Sequence, residues 1–149
     1  YGPVVVGVDG SGVSQKAIEY AFAEASAREC ELIAVHTWMD MQIQASLAGL
    51  SAAQQQWKIV EEEQNMLLGH RLAGYAERYP DVQVTRVVTR DRPVRALVDA
   101  AKGAQLLVVG SHGRGGFKGM LLGSTSRALL QSAPCPMMVV RPDSDAKAH

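Results

Sequence analysis

The chain has 149 residues, of which 47% are hydrophobic and 20% are charged, and its 15 basic residues balance its 15 acidic residues. This length is typical of one domain with its own core, and this composition excludes a disordered chain. No net charge draws the chain to nucleic acid or anionic lipid, and no apolar run of the sequence is long enough to span a membrane. Cys30 and Cys135 lack metal-ligand spacing, which indicates reduced thiols and a cytoplasmic location.

The N-terminal part of the chain reads as a strand, a helix and a second strand. Residues 3–8 form an apolar, β-branched run without alternation, which is typical of a parallel strand buried on both faces. A turn at residues 9–12 ends this run, and apolar residues then recur at helical spacing as far as Arg28. Residues 31–37 are predicted to be the second strand, and residues 38–51 an irregular connection.

The same alternation continues to the C-terminus. The predicted elements are three helices, each followed by a strand, at residues 54–79, 82–88, 93–102, 105–109, 123–132 and 137–140. Pro80 and Gly103 end the first two of these helices. Strict alternation predicts an α/β fold of the Rossmann-like class, a single five-stranded parallel sheet with helices on both faces. Right-handed crossovers favour the strand order 3-2-1-4-5.

The ends of the chain are interpreted separately. The domain is predicted to cover residues 1–142, followed by a flexible polar tail at residues 143–149. The chain begins at Tyr1 rather than at an initiator Met. Two explanations stay open, a trimmed chain end or a piece of a longer protein such as one half of a tandem pair.

Two glycine-rich turns are predicted where the strand order reverses, between strands one and four. Ligands of parallel sheets bind at such a point, beyond the carboxyl ends of the strands. One turn, residues 9–12, follows the first strand, and the other, residues 110–122, follows the fourth. Backbone N–H groups of glycines can approach an anion closely, and the helix start at residues 123–126 favours phosphate. The pattern predicts a phosphate site, although a flexible surface loop has the same composition.

Two standard nucleotide motifs do not fit these turns. A P-loop requires Gly-Lys followed by Ser or Thr, whereas Lys118 is followed by Gly119. A dinucleotide fingerprint requires Gly-x-Gly-x-x-Gly. Its third glycine is replaced by Gln15 in the first turn and by Lys118 in the second.

The glycine spacing of the second turn resembles the ATP-binding pattern of the universal stress protein family. The pattern is Gly110, two residues, Gly113, nine residues, and then Gly123-Ser124. The resemblance covers nearly the whole chain. The family's first strand and turn, second strand, fourth strand and final passage into the last strand are similar to residues 5–11, 34–38, 108–113 and 134–140. It implies the Rossmann-like sheet of the adenine nucleotide alpha hydrolase-like type.

The resemblance also implies which residues bind nucleotide. Residues 110–116 would wrap the ribose and phosphates, residues 123–126 would hold the terminal phosphates, and Thr37 would lie beside the adenine, where the family often has Val. The implied nucleotide-binding residues are Gly7, Asp9, Thr37, Gly110, Ser111, His112, Gly113, Arg114, Gly115, Gly116, Gly123, Ser124, Thr125 and Ser126. Mg²⁺ would be carried by the phosphates, with no metal ligand from the protein. Pairing, in a homodimer or between tandem domains, would use residues 137–140.

The predicted function is an ATP-dependent regulatory switch in the stress response. The sequence offers no paired carboxylates and no nucleophile with an evident base, so hydrolysis is expected to be slow at most. Three alternatives stay open: a dimerisation or scaffolding module without nucleotide, a true nucleotide-hydrolysing or adenylating enzyme, and a binder of AMP or a cyclic nucleotide. Asp9 also fits a helix cap, His36 fits a structural residue, and residues 61–63 fit a solvated helix face.

Overall fold

The computed structural model describes residues 2–8, 12–37, 50–89, 93–111 and 124–141. Within these ranges the chain forms five strands and four helices in strict alternation. They are β1 Val4–Val8, α1 Gly12–Arg28, β2 Leu32–Thr37, α2 Leu50–Arg78, β3 Val84–Thr89, α3 Pro93–Ala101, β4 Leu106–Gly110, α4 Ser124–Ser132 and β5 Met137–Val140. The predicted alternation of strands and helices is confirmed.

The five strands form one parallel sheet in the order β3-β2-β1-β4-β5. β1 lies at its centre, where Val4 is paired with Leu32 of β2 on one side and with Leu106 of β4 on the other. The predicted fold class and strand order are therefore confirmed. The order reverses between β1 and β4, which is where the sequence predicted that a ligand binds, beyond the carboxyl ends of these strands.

Each face of the sheet is covered by two helices. Alternate residues of β1 point to opposite faces: Val4 belongs to the cluster that α1 and α2 cover, and Val5 to the cluster with residues of α3 and α4. Both side chains have no exposed surface. Burial on both faces explains why the strand has no polar alternation in its sequence.

Aromatic side chains fix α2 against α1. The ring of Phe22 in α1 stacks on Tyr75 of α2 at 5.9 Å and on Tyr79 at 6.0 Å between ring centres. Farther along α2, Leu72 and Leu68 are buried in the same core. Among the described side chains of α2, Leu68 and Leu72 therefore pack in the core beneath this helix.

Some predicted boundaries differ from the observed ones. α2 begins at Leu50, four residues before the predicted start, so residues 50 and 51 of the predicted connection are helical. β3 begins at Val84 rather than at Val82, because the Val82 N–H donates to the Tyr79 carbonyl in a turn. The remainder of the predicted connection and the predicted tail lie outside the described residues. In the described part of the chain, no helix is both long and apolar enough to cross a membrane.

Candidate functional site

The carboxyl ends of β1 and β4 carry part of the predicted site. The structure describes Gly7, Thr37, Gly110, Ser111, Ser124, Thr125 and Ser126. Outside the described residues lie Asp9, His112, Gly113, Arg114, Gly115, Gly116 and Gly123. The roles of these seven residues in nucleotide binding stay predictions from the sequence.

A hydrogen bond fastens the start of α4 to the end of β4. The Ser126 hydroxyl donates to the Gly110 carbonyl over 2.6 Å, and Ser126 is only 3% exposed. Ser126 is the third residue of α4, so this bond holds the first turn of that helix beside the last residue of the strand. N–H groups in a first helical turn have no partner within the helix and carry the positive end of its dipole. An anion beyond β4 would meet these donors.

Ser111 extends the pairing of β4 with β5. Its N–H donates to the Val140 carbonyl over 2.7 Å, and its side chain has no exposed surface. The turn that follows β4 therefore leaves from a fixed and buried position. The structure shows that Ser111 helps to hold β4 and β5 together. Its predicted contact with nucleotide stays a prediction.

Gly7 is the residue before the end of β1, and it lies against Leu97 of α3. A Cβ atom on Gly7 would lie 3.1 and 3.2 Å from the two methyl carbons of Leu97, which is closer than ordinary van der Waals contact. The missing side chain thus lets α3 pack closely on the sheet. Its predicted contact with nucleotide is a separate matter and stays a prediction.

A buried histidine joins three elements at the same edge. His36 Nδ1 lies 2.8 Å from the carbonyl oxygen of Val8, and Nε2 lies 2.7 Å from Gln64 Oε1 on α2. His36 is 6% exposed and Gln64 is 8% exposed. Val8 is the last residue of β1 and directly precedes the predicted Asp9 turn. The structural interpretation of His36 from the sequence agrees with these contacts.

Sequence reasoning missed Gln64. It follows three glutamates, and that charge run favoured a solvated face. The spacing of Gln64, Leu68 and Leu72 could have revealed that Gln64 is buried. Residues four apart share one face of a helix, and the two leucines are buried. A polar residue on an apolar face indicates a buried hydrogen-bond partner.

Thr37, on the neighbouring strand β2, brings no charge to the described part of the site. Thr37 ends β2, is half-buried and is paired with Thr89 of β3. No group of three His, Cys, Asp or Glu side chains in the described ranges could hold a metal ion. Burial raises the pKa of the Cys135 thiol, which lies before β5 and so at the opposite end of the sheet. That cysteine is therefore remote from the candidate site.

The fold and the helix start at the reversal of strand order define the chain as a Rossmann-like α/β protein. UspA from Lactobacillus plantarum has a similar fold, with a TM-score of 0.72 and 20% identity over 95% of this chain and 98% of that one. A universal stress protein solved in complex with cAMP has a TM-score of 0.61 and 27% identity, over 95% of this chain and 97% of that one.

The family model described as the universal stress protein family matches residues 1–141, and the chain belongs to that family. A universal stress protein of Mycobacterium tuberculosis is 53% identical over 141 residues, which are 95% of this chain and 46% of that protein. A universal stress protein of Mycolicibacterium smegmatis is 51% identical over 94% of this chain and 46% of its own length. The chain spans about half the length of the curated relatives it matches. The family predicted from the sequence is confirmed.

Proposed function

We propose that the chain binds ATP beyond the carboxyl ends of β1 and β4, with Mg²⁺ carried by the phosphates. The observation that carries this proposal is the hydrogen bond from Ser126 to the Gly110 carbonyl. It holds the first turn of α4, whose N–H groups have no partner within the helix, at the reversal of strand order, where parallel sheets bind ligands. The predicted glycines at 113, 115, 116 and 123 lie in the sequence between these two fixed points.

Adenine is the base we propose because of a relative. The universal stress protein solved with cAMP is 27% identical to this chain over almost all of it. Because that relative was solved with cAMP, a cyclic nucleotide and AMP stay open as alternative ligands of this chain. The backbone donors of a helix start serve any phosphate, so the experiment must compare these ligands directly.

The proposed role of binding is regulatory, in the stress response. The turn at residues 110–122 and the connection at residues 38–49 would respond to the bound nucleotide, and a partner would recognise the change. The connection leads directly into α2, and Gln64 of that helix contacts His36 beside the end of β1. We propose that this contact links the end of β1 to α2. We propose the cytoplasm as the site of action.

Calorimetric titration tests the binding proposal with ATP and Mg²⁺, AMP and cAMP, each against the same protein. Gly113→Ala and Gly123→Ala should weaken the affinity for ATP at least tenfold, because a Cβ would crowd the phosphates and restrict the backbone. Gly74→Ala is the matched control, since it adds the same methyl group to an exposed part of α2 where no atom lies within 4 Å. Its affinity should equal that of the wild type.

Three results would change this proposal. Equal affinities of the wild type and both glycine variants would remove the site assignment. No binding of any nucleotide by the wild type would favour a scaffolding module. Rapid release of phosphate from ATP, well above a slow background, would favour an enzyme.

We also propose that the chain pairs through β5, with a second copy or with a second domain of a longer chain. β5 is an edge strand of four apolar residues, Met137–Val140, and only the last is fully buried. Natural edge strands usually carry charges or prolines that prevent pairing. The opposite edge, β3, has such a charge in Arg86. The contrast favours β5 as the edge that pairs.

A further inference from the structure

The carboxyl end of β1 is paired with β2 and not with β4. In the described part of the chain, pairing of β1 with β4 stops at Val6 and Val108, although both strands continue beyond these residues. Pairing of β1 with β2 continues to Val8, whose partner is His36. The end of β1 therefore depends on β2 for its position, at the edge where parallel sheets bind ligands.

A side chain adds to this backbone pairing. The Nδ1 atom of His36 lies 2.8 Å from the carbonyl oxygen of Val8, the last residue of β1. Val8 directly precedes Asp9, and His36 directly precedes Thr37. The bond thus joins the two residues that come immediately before two predicted nucleotide contacts, one after each strand end.

Gln64 of α2 fixes the ring of His36 from the other side. Its Oε1 lies 2.7 Å from Nε2 of the ring, and both side chains are buried. Gln64 shares one helix face with Leu68 and Leu72, where an apolar side chain would be the ordinary residue. A buried polar group loses its contacts with water and is tolerated where it gains hydrogen bonds. The gain here is an imidazole ring held in one orientation.

The contact between His36 and Val8 lies on the nucleoside side of the candidate site. The proposed phosphate donors are N–H groups in the first turn of α4, which the bond from Ser126 holds beside the end of β4. On the other side of the reversal of strand order lie the ends of β1 and β2, where His36 and Val8 meet. A nucleotide whose phosphates lie at α4 would therefore extend its base and sugar toward these two strand ends.

We propose that His36 and Gln64 are positioning residues for the nucleoside part of the bound nucleotide, an inference that rests on the proposed function. Gln64 orients the imidazole, and the imidazole holds the end of β1 against β2. The residues that follow these two strands are thereby placed for the base and the sugar. The phosphate donors of α4 follow a different strand and do not depend on these two bonds.

Calorimetric titration of the full 149-residue chain with ATP, adenosine and tripolyphosphate tests this division. Gln64→Met retains the length of the side chain and removes its hydrogen-bonding groups. It should weaken the affinities for ATP and for adenosine by about tenfold each, because the ring that holds the end of β1 loses its fixed neighbour. The affinity for tripolyphosphate, which needs only the phosphate donors, should equal that of the wild type.

Two further variants separate positioning from stability. Leu72→Ala removes buried apolar contacts about two turns farther along α2, so it should lower the midpoint of thermal unfolding and leave all three affinities unchanged. Gln64→Glu keeps an oxygen opposite Nε2 of His36, so it should bind ATP within about threefold of the wild type. Circular dichroism checks that each variant is folded at the temperature of the titration.

The outcomes distinguish this inference from the proposed function. No binding of ATP by the wild type would overturn the proposed function and this inference with it. If the wild type binds ATP and Gln64→Met binds ATP and adenosine equally well, only the positioning role is overturned. The positioning role also fails if Gln64→Met weakens all three ligands alike, if Leu72→Ala weakens ATP as much, or if Gln64→Glu restores nothing.

Discussion

At the scale of single residues, the environment of His36 explains how a buried polar group is tolerated beside the candidate site. The Val8 carbonyl can only accept, so His36 Nδ1 carries the proton in that contact. Nε2 then accepts from the Gln64 amide once the side-chain amide is turned so that its nitrogen faces the ring, because the oxygen and nitrogen of an amide are assigned from the hydrogen-bond network. Both ring nitrogens of His36 therefore have a partner, which keeps β1, β2 and α2 together.

Substitution of His36 tests this arrangement. His36→Leu should lower the free energy of unfolding by about 2–4 kcal/mol, because the Val8 carbonyl and the Gln64 amide each lose a buried partner. His36→Asn retains an N–H group that can reach the Val8 carbonyl, so its loss should be smaller. Urea unfolding at constant m-value measures both. Equal losses in the two variants would show that the bond to Val8 contributes nothing to stability.

At the scale of elements, two helices end with the same backbone conformation but with different residues. α1 ends in a Schellman motif, in which the Cys30 N–H donates to the Ala25 carbonyl and the Glu29 N–H to the Ser26 carbonyl. Glu29 adopts the left-handed conformation there, with φ at 53°. Beyond α3, Gly103 has φ at 80°. Glycine adopts this conformation without the steric cost that a Cβ brings.

Exchanging the residue types at these helix ends should move stability in opposite directions. Glu29→Gly should raise the free energy of unfolding by about 0.5–1 kcal/mol, because it removes the left-handed strain at an exposed position. Gly103→Ala should lower it by about 1–2 kcal/mol, and no atom lies within 4 Å of the added methyl group, so the loss is conformational. Thermal unfolding of both variants measures the difference. A change of the same sign in both would contradict this account.

The elements show what the sequence could and could not predict. Apolar runs predicted all five strands, and the pattern is strongest in β1 and β4, because these central parallel strands are buried on both faces. The start of α2 at Leu50 was missed, because Ala52 and Ala53 favour a helix but no clear cap or apolar spacing precedes them. The bond between Ser126 and Gly110 depends on how α4 packs against β4, and no local pattern encodes that contact.

At the scale of the whole molecule, the two edges of the sheet differ in how they present backbone groups. The carbonyl of Pro136, just before β5, accepts from Leu107 of β4, and the carbonyl of Val140 accepts from Ser111, just after β4. The alternation of a parallel ladder then directs the backbone groups of Met137 and Val139 outward. At the β3 edge, Arg86 donates to the Asn65 carbonyl of α2. Within the described ranges, β5 is therefore the edge strand without a charged residue.

Proline substitutions in β5 separate pairing from folding. Val139→Pro removes an outward N–H and should reduce pairing at this edge at least tenfold by sedimentation, with little loss of stability. Met138→Pro removes an N–H that the ladder directs toward β4, so it should destabilise the fold itself by about 3 kcal/mol. If folded Val139→Pro associates like the wild type, the β5 edge does not pair.

The central position of β1 has a consequence for how the chain assembles. Val4 meets Leu32 across 28 residues of chain but meets Leu106 across 102. Closing the longer loop costs about 1 kcal/mol more in chain entropy, and distant contacts slow folding. We therefore expect β1, β2 and β3 to associate before β4 and β5 dock against them. The proposed nucleotide site spans the junction between β1 and β4. A nucleotide would therefore bind only after β4 has paired with β1, and its binding would stabilise that pairing.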